Sequence, residues 1–340
     1  MKKSSEYIAE SVFNVNAHYT RLQNETKILF FRCLRENRSE EYFREEAYKI
    51  WGNIDHKFMD KQIDKLQELV WGNNIELAVN YGRLEGKDVP SEKWVIDDEY
   101  FKLVPEAQFN DFEKKFENNV VRNYARSSKT IQSQDKDAYL QKKIKNYDDE
   151  VNRIVPYFKQ GEPIRYVNLS TYLSMLHNTN LTRAGWNETM GDSEKLNVNM
   201  FIIPYHPFSC VDCFYYQNRP LTKKEVEDII GTDAVEHTGD IIHPNCKCTL
   251  ALYWDKDQVS KKEYSVSEVE DMYHIRQKVN SLTLQKSKIA TDMKIQKELG
   301  NEEQYDKLNQ KRNAINGKIR DLKEELPSTS LKKQVGAINR

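Results

Sequence analysis

Apolar residues recur at intervals of three and four from about Ser11 to Tyr81, with Leu29, Phe30, Leu34, Trp51, Ile63, Leu66 and Val70 set among charges. That rhythm predicts a run of amphipathic helices. A second helical block is expected from about Glu106 to Val155, interrupted by a polar stretch, Ser127 to Lys136, that reads as a loop. The pattern changes between Gly161 and Tyr253. An amphipathic segment from Leu169 to Met190 precedes a β-like run, Asn199 to Ile203. A short helix is expected from Thr222 to Ile230, where Thr222 and Glu225 have capping-box spacing, and an apolar strand follows from Thr249 to Trp254. Beyond Ser265 a three-four rhythm runs through Val269, Met272, Val279, Leu282 and Met293, breaks at Gly300 and Asn301, and resumes through Leu308, Ile315, Ile319 and Leu322. This predicts an antiparallel helical hairpin turning at Gly300. Lys286 and Arg312 interrupt the stripe and make any coiled-coil packing imperfect.

The expected fold class is therefore α+β and mostly helical. It comprises a helical N-terminal region (1–160), a small His/Cys-clasped α+β module (161–260), a C-terminal helical hairpin (265–327) and a flexible tail (328–340). At 340 residues the chain has room for about two or three domains. Hydrophobic residues make up 38% and charged residues 31%, a balance that favours extensive wet surface or burial against partners. The formal net charge is -1, which gives the chain as a whole no electrostatic reason to seek nucleic acid or an anionic membrane. No stretch approaches the roughly 18 apolar residues of a spanning helix, and the start leads into no signal-like apolar core. A reducing cytoplasm is the expected compartment, which weighs against disulfides and towards metal binding or simple burial of thiols.

Cysteine placement sharpens that choice. Four of the five cysteines fall in two compact knuckles, His206-Pro-Phe-Ser-Cys210-Val-Asp-Cys213 and His243-Pro-Asn-Cys246-Lys-Cys248; only Cys33 stands apart. Zinc takes four tetrahedral ligands, and thiolates at Cys-x-x-Cys spacing reach one ion from a single turn. Cys210, Cys213 and Cys246, completed by His243 or Cys248, are the expected ligands of a structural zinc, with the remaining donors orienting them. A metal-free cluster, packed or disulfide-linked, and a redox Cys-x-x-Cys are the alternatives; the redox reading lacks a surrounding thioredoxin-like pattern. Glu236-His237-x-x-Asp240-x-x-His243 also offers a hydrolytic reading, a zinc-associated nuclease in which a histidine activates water beside the ion. It needs His243 twice. No Walker loop, dinucleotide fingerprint or nucleophile elbow occurs.

The order of these elements resembles the phage minor capsid proteins related to the Mu-type head morphogenesis proteins. The resemblance rests on Leu181-Thr-Arg183-Ala-Gly-Trp-Asn187, then His206, Cys210 and Cys213, then Tyr216-Gln217-Asn218-Arg219, and finally His243-Pro-Asn-Cys246-Lys-Cys248 running into Thr249-Leu-Ala-Leu-Tyr253. It covers about Gly161 to Leu326, and the His-Pro-Asn-Cys element is its specific part. Asn218 stands where that family more commonly has glycine, and Cys248 where it often has histidine. The resemblance implies a virion component incorporated in a few copies near the portal during capsid assembly. Its expected partners are portal or major capsid protein, with contact to packaged DNA open, and no catalysis is implied. It also implies a location in the host cytoplasm during assembly and in the capsid afterwards.

Overall fold

The computed structural model describes residues 2–51, 56–96, 103, 113–159, 162–205, 209, 211–230, 248–259, 261–327 and 332. Along the chain these form α1 (Lys2–Glu36), α2 (Glu40–Trp51), α3 (His56–Asn80), α4 (Arg122–Ile131), α5 (Lys136–Tyr147), β1 (Arg153–Lys159), β2 (Glu162–Asn168) and α6 (Leu169–Lys195). They continue with β3 (Met200–Ile202), α7 (Val211–Tyr216), β4 (Pro220–Thr222), α8 (Lys223–Ile230), β5 (Ala251–Leu252), α9 (Val266–Glu298) and α10 (Glu302–Glu324). The protein is mostly helical, with a small three-stranded antiparallel sheet and an antiparallel hairpin, which is the α+β class expected from the pattern. Among the described residues no helix is long and apolar enough to cross a membrane.

The chain divides into two compact units, each assembled from three separate stretches. One comprises Asn16–Asp55, Glu106–Ser174 and Ile275–Arg340. Its core is aromatic. Phe30 meets Phe43, Tyr124 and Tyr147 edge-on at centroid distances of 5.6, 5.4 and 5.0 Å, and Phe43 stacks on Tyr124 at 4.1 Å. Such edge and offset contacts suit the ring quadrupoles. The Tyr124 hydroxyl, taken out of water with its ring, donates to the Arg38 carbonyl at 2.7 Å. Beside this core, Lys27 is buried between Asp148 and Asp292, at 3.4 and 2.8 Å, which ties α1 to α9 and to the π-turn Asp148–Asn152 that follows α5.

Two sequence expectations change here. The polar stretch from Ser127 is helical as far as Ile131, because Ser127 and Ile131 are buried; the break is confined to 132–135, and Asp135 caps α5 by accepting from the Ala138 N–H at 2.8 Å. The helix expected to reach Val155 stops at Asn152 and gives way to the β1–β2 hairpin. Ile154 and Val155 are β-branched, and Val155 precedes Pro156, so both local terms favour extended backbone there. At the hairpin end, α9 and α10 meet at Gly300, with φ +73°, and Asn301 caps α10 by accepting from the Gln304 N–H at 3.2 Å. The expected turn is realised. The tail 328–340 lies outside the described residues apart from position 332.

The other unit comprises Met1–Val15, His56–Pro105 and Met175–His274, and it contains the candidate site. Its spine is α6, expected to be amphipathic but buried along nearly its whole length, polar positions included. The reason is local. Thr179, Thr182, Thr189 and Ser193 return their hydroxyls to carbonyls three or four residues back, at 2.6 to 3.2 Å, so their polar atoms need no water. Helix α3 packs on α6 through Leu66, Val70 and Leu181, and Gly185 permits the approach: a Cβ there would lie 3.4 Å from Leu66. The sheet has the order β4-β3-β5, with Phe201 paired to Leu221 on one side and Leu252 on the other, all three fully buried.

Candidate functional site

The site is the core between α6, the β3 sheet and α7. Phe201, Leu221, Leu252 and Val226 form its apolar floor, and Trp186 and Met190 of α6 close it from above. Helix α8 is held over it by the expected capping box: the Thr222 N–H donates to Glu225 Oε2 at 2.8 Å, and the Glu225 N–H donates to Thr222 Oγ1 at 3.2 Å.

Cys213 and Cys248 both enter this core and are 1% exposed. Gln217, itself 1% exposed, points its Nε2 at Cys248 Sγ from 3.7 Å, and the Trp186 indole N–H donates to the Cys248 carbonyl at 3.0 Å. The Thr189 hydroxyl reaches the next apolar carbonyl, Leu250, at 3.2 Å. Gln217 is placed by backbone: it follows α7, bridges Ile203 in parallel and donates its N–H to the Cys213 carbonyl at 3.2 Å. Asn218 then turns the chain with φ +59°, donating its N–H to Ile203 at 2.9 Å and accepting from the Tyr205 N–H at 3.2 Å. An amide N–H aimed at a sulfur is the kind of contact that orients a thiol or a metal-bound thiolate.

Of the predicted ligands, Cys213 and Cys248 are thus brought into one core, whereas Cys210, His243 and Cys246 lie outside the described residues. The same holds for His206 and for Glu236, His237 and Asp240 of the hydrolytic reading. Among the described residues no group of three or more His, Cys, Asp or Glu side chains is arranged to hold a metal ion. The remaining cysteine, Cys33, is buried in the other unit, and burial pushes its thiol up to about 11, so it is inert near neutral pH.

A second polar group escaped the sequence reading. Glu188 and Asp192, one turn apart on α6, are both fully buried, with Lys93 Nζ 3.2 Å from Glu188 Oε2 and Asn74 Nδ2 2.8 Å from Asp192 Oδ2. Removal from water raises both carboxyls. Asp192 reaches about 7, the Asn74 hydrogen bond opposing and the Glu188 charge adding to the effect of burial. The signal was the Glu-x-x-x-Asp spacing itself, since like charges four residues apart on a helix repel unless something neutralises one of them.

Comparison of the chain with protein-family models, with curated proteins and with solved structures finds no match.

Proposed function

We propose that this chain is a structural minor capsid protein of a tailed phage, a head morphogenesis component incorporated near the portal, in which the α6–β3–α7 core is a rigid adaptor. The observation that carries this reading is the meeting of the residues on which the resemblance rests. Trp186, Cys213, Gln217 and Cys248 are spread over 63 positions, yet Trp186 and Gln217 both address Cys248 in one apolar core that also holds Cys213. Asn218 supports it further. Where glycine is commoner in that family the backbone here is left-handed, and asparagine is the side-chain-bearing residue that tolerates that region best. The contact surface for portal or major capsid protein is assigned to the helical parts. Helix α10 has no fully buried residue, and its stripe of Leu308, Ile315, Ile319 and Leu322 is only half covered. A structural zinc held by Cys210, Cys213 and Cys246, completed by His243 or Cys248, belongs to the same proposal.

The test is to purify particles assembled from the phage genome that encodes the chain. The protein is expected in intact heads at a few copies each, and its deletion is expected to leave heads defective or unfilled. Absence from purified heads, with normal heads in the deletion, overturns the proposal. Elemental analysis of the purified protein is expected to give about one zinc per chain; a value near zero removes the metal and leaves a packed thiol core. Divalent-dependent DNA cleavage by the pure protein, lost on replacing His237 or His243, would move the function to a nuclease.

A further inference from the structure

The buried acid pair on α6 is covered by a short extended strap, Ser91–Ile96, whose hold on the helix is unusually specific. Gly191 lies between Glu188 and Asp192, and the strap presses on it so closely that a Cβ there would meet three side-chain atoms of Ile96 at 2.5 to 2.7 Å. Only glycine leaves room for that seat. Three residues earlier, Lys93 bridges to Glu188 Oε2 at 3.2 Å and to Gln67 Oε1 of α3 at 3.4 Å. Between them Val95 points outward and is 76% exposed. The stretch leading in from α3 is mostly exposed and has two left-handed glycines, Gly82 at φ +63° and Gly86 at φ +54°. Its start is tied back, with the Arg83 N–H donating to the Ala78 carbonyl at 2.8 Å and Tyr81 and Arg83 lying against the Trp254 ring, whereas Asp88 and Val89 make only short-range turn bonds, to Glu85 and Gly86.

Beneath the strap the charges do not balance. Lys93 is the one cation among the described groups that act on the pair, and Asn74 the one neutral donor, while Glu188 Oε1 and Asp192 Oδ1 are buried without a hydrogen-bond partner. One lysine and one proton make the site neutral. Loss of that proton leaves a second carboxylate charge in a place that excludes water, with an oxygen to which no described residue donates.

We propose that Ser91–Ile96 is a proton-controlled latch, seated on Gly191 while Glu188 and Asp192 retain one proton between them and released from α6 when both are ionised. A second carboxylate charge also attracts Lys93, which would tighten the strap. The balance is expected to go the other way because the Lys93 side chain is a third exposed and stays partly hydrated, whereas Asp192 is fully buried while the strap is seated. The sign follows from linkage. With the strap seated, burial raises Asp192 from its ordinary 3.8 to about 7, and the latch requires that release lets water reach the carboxyl and lowers that value. The closed state then binds the proton more tightly, and the open-to-closed ratio is expected to rise with pH, by up to about tenfold per unit, and to level off above about 7.

The latch can be read at Val95 by replacing it with trifluoromethylphenylalanine and following its fluorine resonance in the full-length chain from pH 5 to pH 8, with far-ultraviolet circular dichroism recorded in parallel. The expected result is a resonance that moves from a seated to a released position with rising pH while helix content holds. In Asp192→Asn, which is uncharged and of the same shape, it is expected to stay seated throughout. A pH-invariant signal in the otherwise unaltered chain overturns the latch, as does the same titration persisting in Asp192→Asn. So does loss of helix in step with the signal, which would mean unfolding of the unit. Should Asp192→Asn fail to fold, Glu188→Gln provides the second reading. It removes the charge that raises Asp192 and is expected to move the transition to lower pH; an unmoved midpoint overturns the latch too.

Discussion

Asn218 and Gly191 are single positions where the backbone or the space around it dictates the residue. At φ +59° a side chain with a Cβ is strained, and asparagine offsets part of that strain by accepting the Tyr205 N–H. Asn218→Gly relieves the strain and loses that bond, so it is expected to change stability by less than about 1 kcal/mol. Asn218→Ala keeps the strain and loses the bond, for a cost of about 1 to 3 kcal/mol. Urea unfolding of the two variants checks the order, and an alanine as stable as the glycine would remove the role given to the turn. Gly191 is limited by space instead. Gly191→Ala is expected to cost about 1 to 3 kcal/mol through its clash with Ile96, despite alanine's better helix propensity. Gly317 in α10 has nothing within 4 Å of an added Cβ, so Gly317→Ala is expected to raise stability by about 0.5 to 1 kcal/mol. Trimming Ile96 to alanine in the Gly191→Ala background is expected to recover part of the loss, which a purely helical effect of the substitution would not allow.

Among elements, α1 is fixed to α9 and to the π-turn after α5 by a charge cluster rather than by apolar packing alone. Lys27 faces both Asp148 and Asp292, and Asp148 also draws on Lys288 at 3.7 Å and on the Asn152 amide at 2.8 Å. Burial raises Asp292, whereas for Asp148 the lysines and Asn152 outweigh burial and hold it below the ordinary carboxylate range. Lys27→Met keeps the length of the side chain and leaves two buried carboxylates uncompensated, which is expected to cost about 3 to 5 kcal/mol at pH 7. In the unaltered protein the Asp148 contribution is present above its ordinary 3.8 and is lost as pH falls through its lowered value. In the variant both carboxyls are raised, so protonation relieves them. The difference between the two proteins is therefore expected to shrink towards pH 3, and an undiminished difference there would assign the loss to packing. This cluster shows what the pattern could and could not reveal. Helix rhythm, the Thr222–Glu225 capping box and the Gly300 turn are local, and each was legible because its energy is set within a few residues. The charge cluster joins positions 121 and 265 residues apart, and Lys27 in sequence is one charge among many on an amphipathic helix. The β1–β2 hairpin was missed although its local signal, β-branched residues before Pro156, was present. Of the candidate site, Cys213 and Cys248 stood out as knuckle cysteines and Trp186 and Gln217 as residues of the resemblance, whereas Glu188 and Asp192 carried only the weak signal of like charges four residues apart, which tertiary burial makes unusual.

For the whole molecule, the chain does not complete one compact unit before starting the next, and this constrains how it can be divided. The unit that holds the cysteine core takes residues from three stretches, and α3 from the middle one supplies contacts that the stretch from Met175 to His274 cannot replace. Leu66 and Val70 cover Leu181 and Gly185, Asn74 is the donor to buried Asp192, and Lys93 is the counter-ion of buried Glu188. A fragment of 175–274 alone would expose two or three large aliphatic contacts, worth about 1.5 to 3 kcal/mol each, and would leave two carboxylates without their partners. Against a domain stability of about 5 to 15 kcal/mol that loss is decisive. The fragment is accordingly expected to give a poorly dispersed amide spectrum and to bind a hydrophobic dye. Residues 56–105 added in trans, or joined through a flexible linker, are expected to restore dispersion. The restoring segment should lose its effect with Asn74→Leu combined with Lys93→Met, because those changes keep its apolar face while removing the partners of Asp192 and Glu188. A 175–274 fragment that folds without the segment would place the stability of this unit in the thiol core alone, with a bound zinc the natural source, and its unfolding by a chelator would then separate metal from packing.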